Sequence, residues 1–185
     1  MKLLMHTCCA PCSIMCINTL RQEGIEPTLY WYNPNIHPFT EYESRKNTLI
    51  DYSKAIDIKL YIEEEYGLCR FTEEVFSDLE NRCGKCYKMR LEKTAEFASL
   101  NGYDAITTTL FVSPYQNHDL IAKIGQDICQ NYGIDFKRYD FSPYFREGQQ
   151  VARQSDMYMQ KYCGCIFSEE ERFLSKINKN ESKWI

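Results

Sequence analysis

Ten cysteines among 185 residues are the feature that most constrains what this chain can fold into. The N-terminal segment has only a short apolar stretch before polar and cysteine residues, so it matches neither a secretory signal nor a membrane span. We therefore expect a cytoplasmic protein with no membrane partner. In that compartment thiols stay reduced and serve as ligands, catalysts or core residues rather than as disulfides.

Seven of the cysteines form three short groups. These are Cys8, Cys9 and Cys12, then the CxxC pair Cys83 and Cys86, then the CxC pair Cys163 and Cys165. A structural zinc ion needs only four ligands, whereas a thiolate-rich set of this size favours an iron–sulfur cofactor. Zinc bound by four of the seven is the alternative. Core packing is the default interpretation for the other three, Cys16, Cys69 and Cys129.

Segments of strand and helix pattern alternate along the chain. The predicted strands cover residues 2–6, 28–32, 58–62, 105–110 and 135–139. Helices are predicted over 13–24, 39–55, 88–100 and 118–132, and within 149–173 on either side of the CxC pair. This alternation predicts one α/β domain over 1–185, with a mostly parallel sheet flanked by helices and a ligand site at the carboxyl ends of its strands.

Two loops that follow predicted strands carry aromatic and amide side chains of the kind that hold an unstacked base. The candidate substrate contacts in these loops are Tyr32, Asn33, Asn35, Phe111, Ser113, Gln116 and Asn117. Core packing is the alternative for the aromatic residues. The histidines are interpreted as ordinary strand, loop and helix-start residues rather than metal ligands, at His6, His37 and His118.

A net charge of −4 does not by itself indicate a nucleic-acid partner. The segment 82–93 nevertheless carries five cations and one anion. Salt screens exposed charges over roughly 8 Å, so a local basic rim can bind RNA on an acidic protein. A solvated helix face is the alternative. The candidate phosphate contacts are Arg82, Lys85, Lys88, Arg90, Arg146 and Arg153.

Five motifs, taken together, resemble the QueH family of metal-dependent epoxyqueuosine reductases. They are HTCCAPCS at 6–13, YNPNIHP at 32–38, RCGKCYKMRL at 82–91, TTTLFVSPYQN at 107–117 and YCGCIFS at 162–168. The resemblance covers nearly the whole chain. It implies reduction of the epoxide of epoxyqueuosine at the tRNA wobble position, the last step of queuosine biosynthesis, without cobalamin. It also implies an adenine-nucleotide hydrolase-like (HUP-type) fold, a [4Fe–4S] cluster and a separate mononuclear iron.

The resemblance leads to an expected division of the cysteines between the two metal centres. Cys8 and Cys12 are expected to hold the single iron and to be catalytic. The expected cluster ligands are Cys83, Cys86, Cys9 and one of Cys163 or Cys165. The CxC pair is alternatively a redox-active dithiol.

Removing an epoxide oxygen consumes two electrons and two protons. The chain has no G-x-G-x-x-G motif for a tightly bound nicotinamide or flavin. We therefore expect an external electron donor to act through the cluster, with the single iron as a Lewis acid. Two other functions are alternatives to epoxide reduction. One is an ATP-using sulfur-transfer enzyme of the same fold group, which would need a phosphate loop that the first turn lacks. The other is a zinc-stabilised RNA-binding module.

Overall fold

The computed structural model of the chain describes residues 1–181, with side chains described through residue 174. Its centre is a five-stranded sheet in the order β3-β2-β1-β4-β5, in which every neighbouring pair is parallel. The strands are β1 Leu3–His6, β2 Thr28–Trp31, β3 Leu60–Ile62, β4 Ala105–Thr108 and β5 Asp135–Phe136. The predicted α/β fold is therefore confirmed, while the finer likeness to adenine-nucleotide hydrolases stays a prediction.

Helices flank the sheet. They are α1 Ala10–Gln22, α2 Phe39–Ala55, α3 Leu68–Phe76, α4 Arg82–Leu100, α5 His118–Tyr132, α6 Phe145–Gln154 and α7 Ile166–Glu181. Short 3₁₀ helices cover Thr109–Val112 and Ser142–Tyr144. The predicted bounds of α2 and α5 are confirmed. In α5 the Asn117 side chain accepts from the Leu120 N–H, and Gly133 ends the helix in the left-handed region at φ 66°.

Other predicted bounds differ from the structure for local reasons. The strand predicted over 105–110 ends at Thr108, because the Thr108 hydroxyl accepts from the Leu110 N–H and starts a 3₁₀ turn. The last strand has two residues rather than five, as its edge position gives it a single partner strand. Helix α4 begins at Arg82 rather than at residue 88, and α3 was not predicted. The prediction for Cys69 is wrong because it is exposed, whereas Cys16 and Cys129 are buried as expected.

The sheet brings distant parts of the chain to one edge. Strands β1 and β4 pair in register with His6 opposite Thr108, so the segments that follow them, beginning near Cys8 and Thr109, leave the sheet side by side. Leu4 and Met5 of β1 are fully buried, as expected for a central strand covered on both faces. Any site at this edge therefore combines residues about a hundred positions apart in sequence.

Across residues 1–181, the helices lack the combination of length and apolar character needed to cross a bilayer.

Candidate metal centre and substrate cavity

The turn from β1 into α1 gathers three cysteines. Cys9 is the N-cap of α1 with an extended backbone, and Cys12 lies in the first turn of that helix. The sulfur atoms of Cys8, Cys9 and Cys12 all lie within 4.8 Å of one another. Pro11 lies in the first turn of α1, and the bend from strand into helix lets two adjacent cysteines face one point. The three thiols are therefore placed to bind a single metal ion.

Hydrogen bonds distinguish Cys8 from its two neighbours. The Cys12 and Cys9 thiols hold the pKa of Cys8 well below its ordinary value, and the Thr109 hydroxyl donates to the Cys8 sulfur at 3.4 Å. Burial raises the pKa of Cys9, and the bond to Cys8 raises that of Cys12. Because the thiolate is the metal-ligating form, contacts that favour deprotonation of Cys8 prepare this group of sulfurs to bind a metal.

Gln160 covers the three thiols from the far end of the chain. It lies in the non-helical segment between α6 and α7, and its Nε2 donates to Cys9 Sγ at 3.1 Å and to Cys12 Sγ at 3.4 Å. Its Oε1 is buried and finds no hydrogen-bond partner among the described residues. Sequence analysis missed this residue, because a lone glutamine in a loop gives no pattern.

A second set of cysteines surrounds a small cavity beside the first. Cys83 and Cys86, on the first turn of α4, face Cys163 and Cys165, which precede α7, and all four line this cavity. Burial raises the pKa of Cys86 to about 12. The structure therefore joins the CxxC and CxC groups, which lie about eighty residues apart in sequence.

Two buried arginines lie between the cysteine sets. Arg45 and Arg90 are each 2% exposed. Arg45 pairs with Glu41 at 2.6 Å and donates to the backbone oxygens of Tyr162 and Cys163 at 3.0 and 2.9 Å. Arg90 donates from Nε to the Cys86 oxygen at 3.2 Å, and its Nη2 has no hydrogen-bond partner in the described part of the chain.

A buried guanidinium is costly unless negative charge lies near it. Burial lowers the pKa of both arginines, and this effect is outweighed for Arg45 by Cys9 and Glu41 and for Arg90 by Cys86 and Cys163. Glu41 supplies negative charge to Arg45, and the cysteines would supply it to both arginines once they are deprotonated by a bound metal. The two arginines thus suit an anionic group held by the cysteines. The donor set and its surroundings both fit a thiolate-bound iron centre.

An open cavity of about 460 Å³ extends from the first cysteine set to the surface. Its walls include Cys8 and Cys12 of the first set and Cys163 of the second. The rest of the wall combines polar, aromatic and aliphatic side chains. These include Thr109, Leu110, Ser113, Tyr115, Gln116, Phe145, Gln149, Gln160, Lys161 and Tyr162. Small-molecule sites typically have volumes of about 300–1,000 Å³, so this space is of the size that holds a small-molecule ligand.

The structure places few of the predicted substrate contacts at this cavity. Ser113 and Gln116 line it, and Gln116 donates to Cys163 Sγ at 3.4 Å while accepting from the Tyr87 hydroxyl at 2.8 Å. The side chains of Tyr32, Asn33 and Phe111 are fully buried. Asn35 lines the smaller four-cysteine cavity, and Asn117 caps α5. The loop after β4 therefore lines the large cavity, whereas the side chains of Tyr32, Asn33 and Asn35 in the loop after β2 are buried and do not line it.

The predicted phosphate contacts do not form one basic face. Arg82 pairs with Glu171, and Lys85 donates to the Glu74 oxygen and the Ser77 hydroxyl. Lys85 and Lys88 line a separate groove. Arg90 is buried and lines the large cavity. The remaining two, Arg146 and Arg153, are exposed on α6. Lys161 at the cavity wall was not predicted.

The three histidines contact other parts of the protein. His6 lies 2.9 Å from the Thr108 hydroxyl and 3.3 Å from the Tyr32 oxygen, and burial lowers its pKa to about 3. His37 is buried against Phe71, and His118 contacts the Ser113 oxygen.

Comparison with known proteins agrees with these features. A family model described as epoxyqueuosine reductase QueH matches residues 3–171. Relatives of that name include the Dehalococcoides mccartyi protein, 34% identical over 93% of this chain and 94% of its own length. Others are the Thermotoga maritima protein, at 33% over 91% of each chain, and the Haemophilus influenzae protein, at 34% over 90% of this chain and 71% of its own. The chain therefore belongs to the QueH family of epoxyqueuosine reductases.

Proposed function

We propose that this protein reduces the epoxide of epoxyqueuosine at the wobble position of tRNA, giving queuosine. The observation that carries the proposal is the cavity of about 460 Å³ that ends on Cys8 and Cys12, with Cys163 of the second cysteine set in its wall. A nucleoside in this cavity would lie against both sets of thiols. The names of the relatives supply the substrate.

The seven cysteines divide into two ligand sets in this proposal. Cys8, Cys9 and Cys12 would hold the single iron, because their sulfurs converge within 4.8 Å. The [4Fe–4S] cluster would be held by Cys83, Cys86, Cys163 and Cys165. A cluster takes one thiolate for each iron, so its ligands surround a space, as these four surround the smaller cavity. This division moves Cys9 from the cluster to the single iron and uses both members of the CxC pair.

Side chains around the two sets would fix the ligands and offset their charge. The Thr109 hydroxyl and the Gln160 amide donate to sulfurs of the first set and so orient them. Arg90 and Arg45 place positive charge beside thiolates that are removed from water. Partners of this kind orient the side chains that bind a metal and set the reactivity of the bound metal.

The chemistry requires that both C–O bonds of the epoxide break, a C=C bond forms, and the oxygen leaves as water after uptake of two protons and two electrons. When bound, the iron centres supply these electrons from an external donor. Ser113, Gln116 and Gln149 line the cavity with hydroxyl and amide groups that hydrogen-bond a nucleoside and fix its orientation. Leu110 contributes an apolar contact in the same wall.

The proposal includes a tRNA partner, an electron donor from outside the chain, and a cytoplasmic location, where tRNA modification takes place. Lys161 is exposed at the cavity wall and is the proposed phosphate contact there.

The test is anaerobic preparation followed by iron and sulfide quantitation and single-turnover reduction of epoxyqueuosine-containing tRNA, read by mass spectrometry of the released nucleosides. We expect queuosine in proportion to iron-loaded protein. Cys129→Ala, a buried cysteine outside both sets, is the control for cysteine loss alone. Iron-loaded protein that leaves the epoxide intact in the presence of a strong reductant would refute the function.

A further inference from the structure

Tyr115 presents its ring to solvent at the cavity wall. The side chain is 84% exposed, although it follows a strand-end loop whose neighbouring apolar residues Leu110 and Phe111 are buried. A single exposed aromatic ring is ordinary on a protein surface, but this one lies in the wall of the cavity that the cysteines line.

The backbone beneath this ring is held in a turn. The Tyr115 N–H donates to the Ser113 hydroxyl at 3.3 Å, and the Gln116 N–H donates to the Ser113 oxygen at 3.2 Å. The next side chain, Gln116, is fixed by bonds to Tyr87 and Cys163. The ring is therefore exposed on an ordered turn whose following residue touches the second cysteine set.

A second ring stands beside the first. Phe145, at the start of α6, also lines the cavity, and its centroid lies 6.0 Å from that of Tyr115 with an interplanar angle of 83°. This edge-to-face contact restrains the Tyr115 ring, which is nevertheless 84% exposed. Gln149, on the same helix and in the same wall, places an amide near the pair.

Single-stranded RNA is recognised by this combination of groups. Bases that leave the stack are held on aromatic side chains and hydrogen-bonded at their edges by amides. The proposed function puts the modified nucleoside in the cavity, so the next base of the strand lies outside it, and the exposed Tyr115 ring in the cavity wall is placed to meet that base.

We propose that Tyr115, supported by Phe145, stacks on the nucleobase adjacent to the modified nucleoside in the anticodon loop. This inference rests on the proposed function and adds to it recognition of a second, unmodified base. The free nucleoside would then be bound less tightly than the same nucleoside within RNA, because it lacks the stacking partner.

The experiment measures equilibrium binding of an anticodon stem-loop by iron-loaded wild-type protein and three variants, without turnover. A fluorescent adenine analogue, quenched when it stacks, replaces the base next to the wobble position. Tyr115→Ala should weaken binding roughly ten- to a hundredfold and abolish the quench, because one base–aromatic stack is lost. Tyr115→Phe keeps the ring and should stay within about threefold of wild type.

Phe76→Ala is the matched control. Phe76 is 74% exposed on α3 and does not line the cavity, so its loss should leave binding unchanged. The inference is overturned if Tyr115→Ala binds as wild type, if it keeps the quench, or if Tyr115→Phe is as weak as Tyr115→Ala. A wild-type protein that binds with the full dependence on Tyr115 and yet reduces no epoxide would refute the proposed function alone. A wild-type protein that does not bind the stem-loop refutes both.

Discussion

Replacing Arg45 tests whether one buried cation supports the segment that carries the CxC cysteines. Its Nε donates to Glu41 at 2.6 Å, and its terminal nitrogens donate to the Cys163 and Tyr162 oxygens at 2.9 and 3.0 Å. Methionine has a long unbranched side chain but no donor. Arg45→Met therefore removes all three bonds and leaves the buried Glu41 carboxylate without its cation.

The expected loss follows from the burial of this pair. Arg45 is 2% exposed and Glu41 is 8% exposed. Removing one partner of such a pair costs about 3–5 kcal/mol, because the other charge stays buried and uncompensated. The Tyr158 hydroxyl still donates to Glu41, which favours the lower end of that range. For a chain of this length the midpoint of thermal unfolding should fall by about 10 °C.

Thermal unfolding followed by circular dichroism on metal-free, reduced protein measures this effect without a contribution from metal loss. The control is Lys46→Met on the same helix, whose partner Glu64 is 68% exposed and whose loss should cost at most about 1 kcal/mol. The double variant Glu41→Gln/Arg45→Met should be more stable than Arg45→Met, because no lone charge remains. A double variant less stable than the single one, or an Arg45→Met midpoint no lower than that of Lys46→Met, would refute the reasoning.

Three further predictions concern the metal ligands and the RNA. Cys83→Ala or Cys86→Ala should remove the brown colour and the acid-labile sulfide of anaerobically prepared protein, because a cluster iron loses its thiolate. Cys129→Ala should keep the colour and the sulfide, with a loss of about 1–2 kcal/mol in the free energy of unfolding. Retained sulfide in both variants would exclude them as cluster ligands. Cys12→Ala should keep the sulfide but lower the iron-to-sulfide ratio. Cys12→Asp should restore part of that iron, because aspartate preserves an anionic donor. Equal loss of sulfide in both variants would assign Cys12 to the cluster. Lys161→Glu should weaken tRNA binding and lower the slope of its salt dependence by at least about 1, measured by titration at several salt concentrations. Lys85→Glu, in the separate groove, is the control, and an equal effect of the two changes would contradict this placement of the RNA.

The sequence by itself determined the fold class and the residues that matter most. Helix α5 was predictable at both ends because Asn117 and Gly133 are local signals, which act through backbone bonds within a few residues. The cysteine groups were recognisable as a site because seven thiols in short clusters exceed what packing or one zinc ion needs. Both inferences depend on residue type and on short-range spacing, which are properties of the chain alone.

Only the tertiary structure decided how these groups combine. Spacing along the chain could not place Cys9 with Cys8 and Cys12, because adjacent side chains diverge on a strand and converge only at the turn that forms here. It could not place Arg45 or Gln160 at the site either, since each comes from a part of the chain that carries no motif of its own. Parallel pairing of β1 with β4 brings the segments that begin near Cys8 and Thr109 to one edge of the sheet. Side-chain contacts then add Arg45 from α2 and Gln160 from the segment before α7.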